Sequence, residues 1–259
     1  MNGLYMIRAF GTGTGFGPQV WLLILALALA GGDGWRHRRG DYGWVLLAGT
    51  LTWTAVELTL QLSGMRIMPD RTLLGMSLPL LVSAPLQGAA EGGAIAVLGL
   101  FIGDGLLHRE TRTAAIWRLL ALCVLAVVPI LLYGETMREV TSRRNILAVP
   151  SILFCFVLLG ADAVFWMRWR ALRRRVVAML AALLAIGTSW TIAAFIAGGR
   201  WIEVTGSAPG TYARANLVWQ ALGLSYDVII EFACAYVAFL ALPAMLGVLS
   251  DDADASRCG

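Results

Sequence analysis

Long apolar stretches alternate with short polar loops along this chain, and they decide what it can fold into. The stretches cover about 18–31, 44–63, 86–107, 116–133, 147–167, 176–197 and 217–247. A helix needs about 20 apolar residues to cross the hydrocarbon core of a bilayer, and most of the stretches approach or exceed that length. Hydrophobic residues make up 59% of the chain and charged residues only 14%. The sequence therefore predicts an all-α fold, a polytopic membrane bundle of about seven transmembrane helices.

The chain of 259 residues is long enough for one such bundle and too short for several domains. We therefore predict a single transmembrane domain over residues 1–259. Residues 1–17 are rich in Gly and Thr, and residues 249–259 are polar. Both ends are predicted to be flexible termini.

The third apolar stretch has an irregular start. The run from Leu73 to Leu107 is too long for one straight helix, and Pro79 and Pro85 interrupt it. Proline removes a helical hydrogen bond and clashes with the preceding turn. Residues 73–85 are therefore predicted to form a re-entrant or interfacial segment before the third span.

The arginines indicate the orientation of the bundle. When the loops alternate across the membrane, 12 of the 20 basic residues fall on one side and 8 on the other. The cluster at 168–175 is the strongest single signal, and cytoplasmic loops carry the excess of positive charge. This predicts an N-terminus outside and a C-terminus inside, in a bacterial cytoplasmic membrane.

Several function classes are disfavoured by composition. All basic residues are Arg, so there is no lysine to form the Schiff base of a retinal protein. The four cysteines are scattered singly and the two histidines lie at span ends, which is not the spacing of a metal site. The net charge of +4 comes from loop arginines and does not indicate nucleic-acid binding. We therefore expect no metal, no cofactor and no nucleic-acid partner.

Acidic side chains inside the apolar stretches are the candidate functional groups: Glu57, Glu91, Asp104, Asp162, Asp227 and Glu231. A charged side chain in hydrocarbon costs about 2.5–3.5 kcal/mol on insertion scales, so such groups usually face the protein interior. Glu57, Glu91 and Asp227 lie toward the predicted outer side and can share one outward-opening cavity. Asp104 and Asp162 lie nearer the inner side. Each acid can instead pair with an arginine or cap a backbone break, although no arginine lies within a helical turn of Glu57 or Asp227.

The surroundings of Glu57 and Asp227 suit acid chemistry on an apolar substrate. Trp53, Glu57 and Gln61 recur at four-residue spacing on one helix face, and Glu231 lies one turn from Asp227. Two carboxyls so close keep at least one of them protonated, as a proton donor requires. Aromatic faces stabilise cations. The rings expected to line this site are Trp53, Trp190, Trp219, Tyr226 and Tyr236.

The loop at 134–145 is unusually polar for the predicted outer side. It can cover the cavity or bind a polar substrate head, and it can equally be a solvated connector. The sequence leaves these roles open.

The length, the seven spans, a Glu in the second span and an Asp in the last resemble the integral-membrane terpene cyclases of the Pyr4 type and their actinobacterial drimentine-pathway relatives. The resemblance implies metal-independent cyclisation of a prenylated or farnesylated substrate, such as a terpenyl indole or a meroterpenoid precursor, started by protonation of an olefin or epoxide. It places the catalytic pair at Glu57 and Asp227, one of them the general acid and the other polarising it. Gln61, Glu91, Tyr226 and Glu231 would orient the acids or bind substrate.

Two alternatives remain open at this point. A small proton-coupled transporter or a lipid-binding protein would use Glu57, Asp227 and Glu231 as a proton relay. A structural subunit of a larger complex would tolerate single substitutions of these acids.

Overall fold

The computed structural model describes residues 5–8, 16–36, 40–68, 70–133, 142–198, 200–203 and 212–249. Helices dominate these ranges. They are α1 (Gly17–Arg36), α2 (Asp41–Leu62), α3 (Leu80–Gln87), α4 (Ile95–Leu107), α5 (Arg112–Tyr133), α6 (Val149–Arg168), α7 (Arg173–Ile196), α8 (Leu217–Ser225) and α9 (Ala235–Met245). Two π-helical segments join α3 to α4 and α8 to α9, so that each pair forms one long helix.

Six stretches of helix in the described ranges are long and apolar enough to cross a membrane. They begin at Asp41, Leu80, Arg112, Val149, Arg173 and Leu217. The apolar part of α1, Gln19–Trp35, is slightly shorter. The predicted membrane helix bundle is thus confirmed, while the number of spans and their direction across the membrane stay predictions.

A five-stranded antiparallel sheet at one end of the bundle was not predicted. Its strands are β1 (Tyr5–Arg8), β2 (Arg66–Ile67), β5 (Ser142–Asn145), β6 (Arg200–Glu203) and β7 (Tyr212–Arg214), in the order β2-β5-β1-β6-β7. β1 comes from the N-terminal segment and the other strands from connections between helices, all assigned to the same predicted side of the membrane. We call this end of the bundle the sheet end.

The predicted flexible terminus at 1–17 is wrong for part of its length. Residues 5–8 form β1, the central strand, which pairs with β5 on one side and with β6 on the other. Residue 17 already belongs to α1. Strands of two to four residues are held by distant partners rather than by a local pattern, so the sequence gives little sign of them. The predicted flexible terminus at 249–259 lies almost wholly outside the described residues.

The prediction for residues 73–85 is also corrected. β3 (Arg71–Leu73) and β4 (Met76–Leu78) form a hairpin, and α3 begins directly after Pro79. The two turn residues, Leu74 and Gly75, both have positive φ, as a tight two-residue hairpin turn requires. Pro85 lies inside the helix rather than ending it.

The two π-helical segments carry three of the candidate acids. The first π segment (Gly88–Ala94) holds Glu91, and the second π segment (Tyr226–Cys234) holds Asp227 and Glu231. π-helical turns inside α-helices are rare and occur frequently at functional sites. Both π segments therefore lie where the sequence predicts candidate functional acids.

Helix α2 packs against the first π segment through glycines. A Cβ placed on Gly92 would lie 2.5 Å from the Gly49 carbonyl oxygen and from the Trp53 Cβ, and one on Gly49 would lie 2.8 Å from the Gly93 Cα. Small residues of this kind let membrane helices approach backbone to backbone. The contact fixes the helix that carries Trp53 and Glu57 against the segment that carries Glu91.

Gly92→Ala is expected to lower the free energy of unfolding by about 1–3 kcal/mol, because the added methyl group overpacks this contact. The measurement is thermal unfolding of the detergent-solubilised protein. Gly160→Ala is the matched control, since no heavy atom of the described residues lies within 4 Å of the added Cβ. Equal melting temperatures for the two variants would contradict the close packing.

The opposite end of the bundle is tied together by one buried arginine. Arg175 of α7 donates from Nε and Nη2 to the two carboxylate oxygens of Asp104 on α4, both at 2.7 Å, and from Nη1 to Asp41 on α2. The Tyr42 hydroxyl donates to the same Asp104 carboxylate at 3.0 Å. The arginine pairing considered for Asp104 is therefore confirmed, and Arg175 is a buried residue rather than an exposed loop charge.

Candidate functional site

Glu57 lies near the sheet end of α2 and is fully buried. Gln61 Nε2 donates to its Oε1 at 2.6 Å, and Arg66 Nη1 donates to its Oε2 at 2.5 Å. Arg66 belongs to β2 and is nine residues from Glu57, more than a helical turn away in sequence. Because both oxygens accept hydrogen bonds, one of them from a cation, the contacts suit an ionised Glu57 carboxylate.

A second arginine of the sheet binds the second π segment. Arg144 of β5 donates from Nη1 to the Glu231 carboxylate, and its guanidinium lies 5.7 Å from the centre of the Tyr226 ring. Arg66 and Arg144 face each other across the β2–β5 pair. The sheet therefore places two buried guanidinium groups side by side, one on an acid of α2 and the other on an acid of the second π segment.

Glu91 connects the first π segment to its surroundings. Gln87 Nε2 donates to its carboxylate at 3.1 Å, and the Tyr236 hydroxyl donates to its backbone carbonyl at 2.6 Å. Burial lowers the pKa of the Arg71 guanidinium, while the charges of Glu91 and Glu57 act to raise that pKa. Arg71 is thus a third arginine close to the acids of the sheet end.

Aromatic rings form a continuous row beside these charged groups. Trp53 packs edge-on against Phe239 at 6.0 Å between ring centres, and Phe239 packs against Tyr236 at 5.2 Å. Tyr236 in turn stacks on Phe232 at 6.3 Å. The row joins α2 to α9 and ends at the second π segment, so two of the predicted ring positions belong to it.

A small cavity of about 10 Å³ lies between α2, α6, β5 and the second π segment. Its lining is Trp53, Val56, Arg144, Phe154, Leu158, Tyr226, Ile230, Glu231 and Ala235. Such a volume is close to the least that holds one water molecule. The cavity thus has room for about one water molecule in this conformation.

The predicted catalytic acids are not among the residues that line the cavity. Glu57 follows Val56 along α2, and Asp227 follows Tyr226 along the second π segment, where it is fully buried. Trp190 on α7 and Trp219 on α8 are half-buried, and neither is among the lining residues that the structure describes. The structure thus gathers Trp53, Tyr226 and Glu231 at one cavity and leaves the other two tryptophans outside it.

Asp162 has a different environment from the other acids. It is buried in α6, and its described partner is the thiol of Cys234 at the end of the second π segment. Its Oδ1 has no hydrogen-bond partner among the described residues. The arginine pairing considered for Asp162 is not found in the described part of the chain.

Arg66, Arg71 and Arg144 are the site residues that the sequence does not single out. The polar loop at 134–145 carries a partial signal, because Arg144 lies at its end. Residues 134–141 of that loop lie outside the described residues, so its proposed roles as a lid or connector stay predictions. Comparison with known proteins adds no assignment: no family model, no curated protein and no solved structure matches this chain.

Proposed function

We propose that the chain is an integral-membrane terpene cyclase that protonates a lipophilic prenylated substrate and guides its cyclisation. One observation carries the proposal. Two fully buried carboxyl groups, Glu57 on α2 and Asp227 on the second π segment, belong to helical elements that a continuous row of aromatic rings joins. Acid groups next to aromatic faces suit the formation and shielding of a carbocation.

The contacts support different roles for the two acids. Glu57 accepts hydrogen bonds from Arg66 and Gln61 and is suited to remain ionised. Asp227 lies one turn from Glu231, whose carboxylate is held by Arg144. A neighbouring negative charge favours the protonated form of a carboxyl group. We therefore assign Asp227 as the proton donor. Glu57 is assigned as the anion that polarises the donor and stabilises the carbocation of the substrate.

The aromatic row would stabilise the carbocation while the substrate cyclises. Trp53, Phe239 and Tyr236 pack edge-to-face with one another, and an aromatic ring stabilises a nearby cation through its quadrupole. Acid initiation needs neither a metal nor a cofactor. Sites for ligands of this size usually enclose about 300–1,000 Å³, so substrate binding requires the cavity to widen.

The arginine distribution supports a sheet end that faces outward and a C-terminus inside the cell. The connections at the other end include the cluster at 168–175, in which Arg168, Arg170 and Arg174 are exposed. Excess positive charge marks the cytoplasmic side of bacterial membrane proteins. On this assignment a substrate reaches the site from the outer half of the bilayer.

A proton-coupled transporter is the second candidate, favoured by the two interrupted helices. Transporters often build their binding sites from discontinuous helices near charged groups. Here both π segments carry acids, and Glu57, Asp227 and Glu231 would form the relay. Proton-dependent uptake into liposomes, lost in Glu231→Gln, would favour this candidate over the cyclase. A structural subunit would show neither activity.

The cyclase proposal is tested by incubating membranes that contain the protein with a farnesylated indole. We expect an isomer of unchanged mass and new retention time in liquid chromatography and mass spectrometry. Glu57→Gln should lower its rate of formation by about 10²-fold or more, because the site loses the anion that faces Arg66. Conversion that is equal in Glu57→Gln, or equal in membranes without the protein, would contradict the proposal.

A further inference from the structure

The indole of Trp53 has an unusual environment. Its side chain is nine-tenths buried, with 9% of the residue exposed. Nε1 has no hydrogen-bond partner within the described part of the chain. An indole N–H can only donate, so whatever satisfies it must supply an acceptor atom. Buried N–H groups without a protein partner commonly bind ordered water.

The cavity beside Trp53 matches one small polar ligand. Its volume of about 10 Å³ is close to the room that one water molecule needs. Three polar side chains line it besides Trp53, namely Arg144, Tyr226 and Glu231, and the remaining lining is apolar. A buried water typically makes two to four hydrogen bonds. Both the volume of the cavity and its lining therefore fit one water molecule.

We infer that this cavity binds one water molecule between Trp53 and the Arg144–Glu231 pair, and that this water ends the cyclisation by adding to the final carbocation. The inference rests on the proposed cyclase function and deepens it. Its consequence is a hydrated product, an alcohol, beside the isomer formed by simple loss of a proton. The alcohol's oxygen comes from solvent.

The steps balance in atoms, electrons and charge. Asp227 gives its proton to the substrate, which becomes a carbocation while Asp227 becomes a carboxylate. After ring closure the water oxygen forms a C–O bond to the cation with one of its lone pairs. The oxonium ion loses a proton to the Glu231 carboxylate, which lies at the cavity and one turn from Asp227. Return of that proton to Asp227 restores both acids.

The test uses the full-length protein in membranes, the farnesylated indole and water enriched in ¹⁸O. We expect a product heavier than the substrate by one water molecule and carrying ¹⁸O. Trp53→Phe keeps a ring but removes the N–H, and it should lower the ratio of alcohol to isomer by roughly three- to tenfold, as loss of one hydrogen bond does. Trp201→Phe is the matched control, because its Nε1 is also unpaired among the described residues but does not line the cavity.

The products that form distinguish failure of the water step from failure of the cyclase proposal. Isomer without ¹⁸O-labelled alcohol overturns the water step and leaves the cyclase standing, whereas no conversion at all overturns both. The water site is also tested in the resting protein by water-edited ¹H–¹⁵N spectra of indole-labelled protein. A water contact at the signal lost in Trp53→Phe supports the site, and its absence overturns it.

Discussion

Asp227→Asn is expected to lower the rate of cyclisation by about 10²–10⁴-fold, the range that loss of a general acid produces. The amide has nearly the same shape as the carboxyl group and stays fully buried in the second π segment. It cannot give a proton to an olefin or an epoxide. The expected result is therefore loss of product from folded protein, measured by mass spectrometry together with size-exclusion elution in detergent.

Asp162→Asn is the control for this substitution. Asp162 is also a buried acid of a membrane helix, but its described partner is the Cys234 thiol and it does not line the cavity. It should therefore keep close to full conversion. If both variants lose activity to the same degree, or if Asp227→Asn keeps it, Asp227 is not the proton donor.

The sequence predicts the helices well, because each apolar run is long and is bounded by polar residues. It fails at Pro85, which lies within a helix that continues to Leu107. A proline in an apolar run looks like a break, but membrane helices accommodate it when neighbouring groups adjust. The π segments leave no comparable mark in the sequence, since Glu91 and Asp227 occur in runs that read as ordinary helix.

The sequence predicts the acids of the candidate site but not the arginines that pair with them. A carboxyl group in an apolar run stands out against its surroundings, so Glu57, Asp227 and Glu231 are found from sequence alone. Their arginine partners are not, because Arg144 is 87 residues from Glu231 and reaches it through the β5 strand. Its partner strand β2 brings Arg66 to Glu57 in the same way. Pairing between distant short strands depends on the folded bundle and has no local pattern.

The sheet therefore has a role in the site as well as in the fold. The register that aligns Arg66 with Arg144 brings together two guanidinium groups from the connections that precede the third span and follow the fourth. Each guanidinium holds one acid, so the spacing between Glu57 and Glu231 is linked to the pairing of the two strands.

Arg175→Met is expected to destabilise the protein more than any other substitution considered, by about 3–5 kcal/mol, the usual effect of breaking a buried ion pair. Methionine is long and apolar and fills much of the same space. It leaves the buried carboxylate of Asp41 and the partly buried carboxylate of Asp104 without the cation that binds both of them. The measurement is thermal unfolding in detergent, with the yield of monodisperse protein as a second readout.

Two further variants separate charge from packing. Arg174→Met changes the exposed neighbouring arginine and should leave the melting temperature nearly unchanged. Adding Asp41→Asn and Asp104→Asn to Arg175→Met removes the stranded charges, so it should recover much of the lost stability. Recovery would show that the three side chains act as one charged unit, which joins α2, α4 and α7 at the end of the bundle farthest from the acids of the site. A triple variant no more stable than Arg175→Met would show instead that the arginine acts through its packing.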